Sequence, residues 1–169
     1  VIIGALLGGL IILMTKISPS GFIYADIDIR PRHTVTMDTF RFKVDTGANC
    51  TTISIAHLIE LGYDEAWILK GKRMMGRAAP VLASGEILKD CYEVILPEIR
   101  IGSWVGYNWP FITSLSKPFK LLLGTNSLKF FNWKLDYDSL LCTFELRKNQ
   151  RNFAFNESGQ SIHAIGRGD

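Results

Sequence analysis

Residues 42–54 read Phe-Lys-Val-Asp-Thr-Gly-Ala-Asn-Cys-Thr-Thr-Ile-Ser, and the fold is read from this stretch outward. Upstream, Phe40, Phe42 and Val44 alternate with Arg41 and Lys43, which is the period of a strand with one buried face. Downstream, the β-branched Thr51, Thr52 and Ile53 favour a second extended run. Asp45-Thr46-Gly47-Ala48 is the turn between them, so a carboxylate is held by rigid backbone on both sides. Such a carboxylate suits work in pairs, because two of them a few ångströms apart share one proton. One then takes a proton from water while its protonated twin polarises an amide carbonyl. None of the other aspartates (Asp26, Asp28, Asp38, Asp64, Asp90, Asp136, Asp138, Asp169) is followed by Thr-Gly or Ser-Gly. The second carboxylate is therefore expected from a second copy of the chain.

Further along, Leu121-Leu122-Leu123-Gly124-Thr125-Asn126-Ser127-Leu128 reads as a buried strand ending in glycine and entering a short helix. In this order the two motifs resemble those of the retropepsin-like aspartic proteases, the single-lobed relatives of pepsin, over residues 22–146. The resemblance rests on Asp45 to Ile53 for the Asp-Thr-Gly-Ala turn and its strand, and on Leu122-Leu123-Gly124 for the hydrophobic-hydrophobic-Gly signature. It implies an all-β acid-protease β-barrel with one or two short helices and one lobe per chain. It implies that Asp45 is the reacting carboxylate and that the hydroxyl of Thr46 bonds across the dimer axis. Met74 to Leu96 would hold the flap hairpin, with Ala83, Ser84 and Gly85 near its tip meeting the substrate backbone. Thr125 stands where retroviral enzymes commonly have Arg, and Pro80 lies in the flap segment.

The residue types support these roles. Gly47 leaves room beside the carboxylate and offers it an N–H. Ala48 keeps the wall of a substrate site small. Gly124 lets a strand pass directly behind the turn, where a Cβ would obstruct it. Trp104, Tyr107, Trp109 and Pro110 line either subsites or the core, and core packing is the commoner use of such residues.

With 169 residues, 47% of them hydrophobic, the chain can bury one core, which predicts a single domain at 20–147. Two fused lobes need about twice this length, so size independently points to a homodimer. A formal charge of +3 with dispersed Lys and Arg gives no footprint for nucleic acid. Cys50, Cys91 and Cys142 are odd in number and widely spaced, and His33, His57 and His163 have no metal-ligand spacing; neither a disulfide framework nor a metal site is expected. There is no phosphate-binding glycine loop, and no cofactor is expected.

Residues 1–14 are uncharged and apolar. Within a 1–16 segment they fit a signal or membrane-anchor remnant, a packed or dimer-contacting strand, or residues outside the working product. The compartment stays open between cytoplasm and membrane. Strands are predicted at 22–29, 35–44, 87–101 and 140–146, with helices at 55–61 and 128–131. Residues 148–169 form a polar tail. The leading functional expectation is a homodimeric aspartic endopeptidase acting on polypeptides. The alternatives are a catalytically silent domain of the same fold used for dimerisation or protein binding, and a membrane-tethered sensor or scaffold.

Overall fold

The structure, a computed structural model, describes residues 11–147 and, by backbone alone, 153–155 and 161–162. Residues 1–10 of the apolar segment, His163 and the rest of the 148–169 tail lie outside the described residues.

Alternation in the sequence becomes pairing in space. β2 (Tyr24–Ile29) buries Ala25, Ile27 and Ile29, and β3 (Asp38–Val44) buries Phe40 and Phe42. The two strands pair antiparallel from Tyr24↔Lys43 to Ile29↔Asp38. A long hairpin follows, in which β5 (Cys91–Ile101) and β6 (Trp104–Ser114) are joined through Gly102 at a φ of 56°. β2 joins its lower end at Ile27↔Ile101, and the short β4 (Lys72–Arg73) pairs with its upper end. β7 (Leu122–Leu123) lies parallel to β3. The core between these strands is aromatic: Trp104 meets Trp109 edge-on at 5.0 Å, and Phe42, Phe111 and Phe144 are fully buried. Trp104 and Trp109 thus serve packing.

Three short α-helices punctuate the described residues, one more than the upper expectation. α1 (Ile55–Glu60) begins where the Ser54 hydroxyl caps the His57 N–H, and the chain leaves it through Gly62 at φ 87°. α2 (Glu65–Ile68) is capped by Asp64, which accepts from Trp67 N at 2.9 Å. α3 (Thr125–Leu128) follows β7 directly, three residues earlier than predicted, and Phe131 already opens β8 (Phe131–Asp136). β8 pairs with β9 (Leu141–Leu146), and β9 with β1 (Ile11–Lys16), as a second sheet. The backbone of β10 (Phe153–Phe155) runs parallel to β6 and pairs with β11 (Ser161–Ile162).

The expected β-barrel is not closed. Residues 51–53 span the gap between β6 and β7, but they contribute only isolated pairs at Thr52, with Ile112 and with Leu122. The seam is left to the backbone of Thr51, Thr52 and Ile53, which bonds Ile112 on one side and Leu122 on the other. Among the described residues no helix is long and apolar enough to cross a membrane.

One buried charge is fully paired. The Glu98 carboxylate, 5% exposed, is held by Arg30 and by Arg100 at 3.0 Å, a structural use for a buried charge. The three cysteines are free thiols. Burial pushes the Cys142 thiol up to about 11. At pH 8 only about a thousandth of such a group is thiolate, the reactive form. Native protein treated with iodoacetamide at that pH should keep Cys142 unmodified by peptide mass mapping, and unfolding in urea should expose it.

β1 is wedged against the β5–β6 turn. Ser103 N donates to Ile12 O at 3.1 Å, and a Cβ on Gly102 would lie 1.8 Å from that same oxygen. Gly102→Ala combines this clash with a left-handed φ, so it should destabilise the fold by about 2–4 kcal/mol in urea titration. An unchanged midpoint would show that β1 does not pack there.

Candidate active site

Asp45 leaves the end of β3 with its backbone still bound to β7: Lys43 N donates to Leu121 O at 2.9 Å and Asp45 N to Leu123 O at 3.0 Å. The turn closes when Ala48 N donates to Asp45 O at 3.2 Å. Inside it, Gly47 N donates to Asp45 Oδ1 at 2.9 Å, which orients the carboxylate. A Cβ on Gly47 would stand 3.2 Å from that oxygen. Asp45 is half-buried, while Thr46 and Gly47 are exposed. The Thr46 hydroxyl has no hydrogen-bond partner among the described residues.

Gly124 closes the site from behind. Its φ of −89° is open to any residue, so sterics alone require glycine: a Cβ would lie 2.2 Å from Cys50 O and 2.9 Å from Ala48 O. Immediately after it, Thr125 N donates to Ala48 O at 2.8 Å and Asn126 N to Asn49 O at 3.3 Å. The start of α3 is thus stitched to the loop leaving the turn.

A buried hydroxyl relay locks this contact. Thr51 Oγ1 donates to Asn126 Oδ1 at 2.8 Å, accepts from Gly124 N at 3.2 Å and lies 2.6 Å from Ser127 Oγ. Trp109 Nε1 donates to Ser127 Oγ at 2.8 Å. Each hydroxyl has one proton, so the relay runs from Trp109 through Ser127 and Thr51 to Asn126. Trp109 is expected from the sequence as a core or subsite residue, but the hydrogen-bonding of Thr51, Asn126 and Ser127 is not. Thr51 had been read only as a β-branched strand residue, and the sole available signal was the polar Asn-Ser pair after the glycine.

The outward face of the sheet forms one row. Tyr24, Lys43, Leu122, Thr52, Ile112 and Glu93 are successive partners across it. Over the Ile112 end rises the segment 74–90. Met74 and Leu88 pack near Ile112, Cys91 and Phe119. Its tip is a hairpin in which Val81 bridges Ile87 and Leu82 pairs with Glu86. Ala83, Ser84 and Gly85 are the three loop residues, with Gly85 at φ 86°, the left-handed residue such a loop requires. Lys117 Nζ grips Glu86 at 2.6 Å and tethers the tip to the loop after β6. Met75, Val81 and Ile87 remain largely exposed there.

At the far end of the row, burial raises the Glu93 carboxyl against the opposing pull of Lys72. Burial also raises the Cys50 thiol, helped by Glu93. A cleft of about 410 Å³ opens beside Glu93, lined by Trp67, Lys70, Lys72 and Ile95 among others, and does not include Asp45. Among the described residues no three His, Cys, Asp or Glu side chains gather as metal ligands would.

Two substitutions test the bracing. Gly124→Ala should cost about 3 kcal/mol or more, because backbone must move to admit the methyl group. Thr51→Val, equal in shape, should cost about 2–3 kcal/mol by stranding buried polar partners. Urea unfolding followed by circular dichroism reads both, and a change below about 0.5 kcal/mol in either would refute the bracing.

A crystal structure of a retropepsin-like aspartic protease from Rickettsia conorii superposes on the chain with a TM-score of 0.56 at 19% sequence identity. The match covers 79% of this chain and 90% of that one. No family model and no curated protein sequence matches. The shared architecture is that of the retropepsin-like fold.

Proposed function

We propose that the chain is a homodimeric aspartic endopeptidase, in which Asp45 of two copies meet and activate water between them. The observation that carries this reading is a carboxylate with its own N–H donor, braced from behind at Gly124, and followed by an exposed threonine whose hydroxyl has no partner among the described residues. That hydroxyl is available to the backbone of a second copy.

In this mechanism water attacks the carbonyl carbon of the scissile peptide as the ionised Asp45 takes its proton. The partner's Asp45 meanwhile donates its proton to the carbonyl oxygen. The now protonated Asp45 then gives its proton to the amide nitrogen, and the partner's Asp45 takes one back from a hydroxyl of the tetrahedral diol. The C–N bond breaks to release acid and amine with the dyad restored. Gly47 N keeps the reacting carboxylate oriented, and Thr46 locks the two turns together. Ala48 leaves space for the substrate main chain. Ala83, Ser84 and Gly85 pair with that main chain from above, as an added strand would. Leu122, Leu123 and Gly124 form the floor that fixes the turn.

The test is cleavage of a mixed peptide library by purified protein, with Asp45→Asn in parallel. Cleavage should appear and should fall by about a thousandfold in the variant, the scale of general acid–base catalysis. Sedimentation should give the mass of a dimer for both proteins. Cleavage that survives in Asp45→Asn removes this reading, and so does folded dimer that cuts nothing.

A further inference from the structure

We infer that Lys43 sets the substrate preference of this site, its ammonium selecting peptides with Asp or Glu beside the bond to be cut. The inference rests on the peptidase reading of Asp45 and deepens it. In a two-fold dimer each side of the cleaved bond would meet one Lys43.

The strand's alternation places it. Phe40 and Phe42 point into the core and Val44 packs on it, so Lys43 points outward, and the next outward position is Asp45 itself. The register is fixed on both sides, by Tyr24↔Lys43 and by Lys43↔Leu122. Lys43 is half-buried, and its Nζ sits 3.9 Å from the centroid of the Phe22 ring. That ring is 45% exposed. The ammonium is thus held by an aromatic face and flanked by Leu122, a partly apolar collar in which a charge interaction counts for more than in water.

Among the described residues nothing neutralises its charge. Lys43 has no carboxylate within ion-pair distance among the described residues, whereas Lys117 is paired with Glu86. Asp26, on the same face, stands opposite Arg41. Glu93 is four partners along the row, about 19 Å away at ordinary strand spacing. Arg41 provides the contrast: it also lies over an aromatic ring, at 5.2 Å from Tyr24. Yet it is exposed and one alternation further from Asp45. An extended peptide lying over the face that carries Asp45 presents alternate side chains to the sheet. Beside the reacting carboxylate the group it meets is a cation, so a carboxylate side chain is the complement.

The test uses the full chain and peptide pairs that differ only in Glu against Gln at the residues flanking the cleaved bond, at near-neutral pH. The Glu peptide should have a kcat/KM about five- to tenfold higher, the scale of a partly buried charge pair. Lys43→Arg should keep that ratio and Lys43→Met should bring it to one. Lys43→Glu should turn the preference toward Lys peptides, and Arg41→Met should leave it unchanged. Fluorescence polarisation of the same labelled peptides with the Asp45→Asn protein reads the preference without turnover. Equal handling of Glu and Gln, or a ratio that survives Lys43→Met, overturns the role of Lys43 while leaving peptide cleavage standing. Failure of the Asp45→Asn protein to bind either peptide overturns it too.

Discussion

The carbonyl oxygen of Cys50 occupies the space a side chain at position 124 would need, and the site depends on that closeness. Because β7 passes so near the loop, its backbone can bond to β3 on one side and to Thr52 on the other. Asp45 is thereby held at its own N–H, through Leu123. The hydroxyl relay from Trp109 to Asn126 then anchors the crossing to the aromatic core. Rigidity at the carboxylate is thus inherited from the middle of the domain, and catalysis by positioned acid and base needs that kind of support.

The same construction leaves the front of the turn bare. Thr46 and Gly47 are exposed, and Asp45 beside them is half-buried. A single chain supplies one acid where the proposed chemistry needs two, and symmetry offers the economical answer. A two-fold axis beside the turn would make each surface complementary to its own copy. It would also give both halves of the substrate site the same lining, including Lys43. Pairing would bury the exposed turn, so the protein's chemistry and its assembly would be one property.

Much of this was legible in the residues because it follows short periods. Ala25, Ile27 and Ile29 alternate, as do Phe40, Phe42 and Val44, and β2 and β3 follow them closely. Gly124 could be read as a close-approach residue because an apolar run ended there without another reason for glycine. β6 was not legible, since Trp104, Gly106 and Trp109 do not keep a period of two and Asn108 takes a left-handed φ of 49°. β8 was hidden because only Lys129 separates α3 from Phe130 and Phe131, so the two aromatics read as the end of the helix. The seam at Thr52 and the Thr51 relay depend on residues far apart in sequence. Their partners exist only once the chain has folded. Lys43 lay between these cases: its face followed from alternation, but its neighbours Phe22 and Leu122 came from the fold.

The central claim is that two Asp45 residues, one from each copy, make one working site. Refolding wild-type chains with an equal amount of Asp45→Asn chains measures it directly. If both carboxylates are needed, only dimers with two wild-type subunits work. Activity per mole of total chain should then fall to about a quarter of the all-wild-type value under random pairing. Activity at about half would mean that each subunit cuts alone, and would contradict the account.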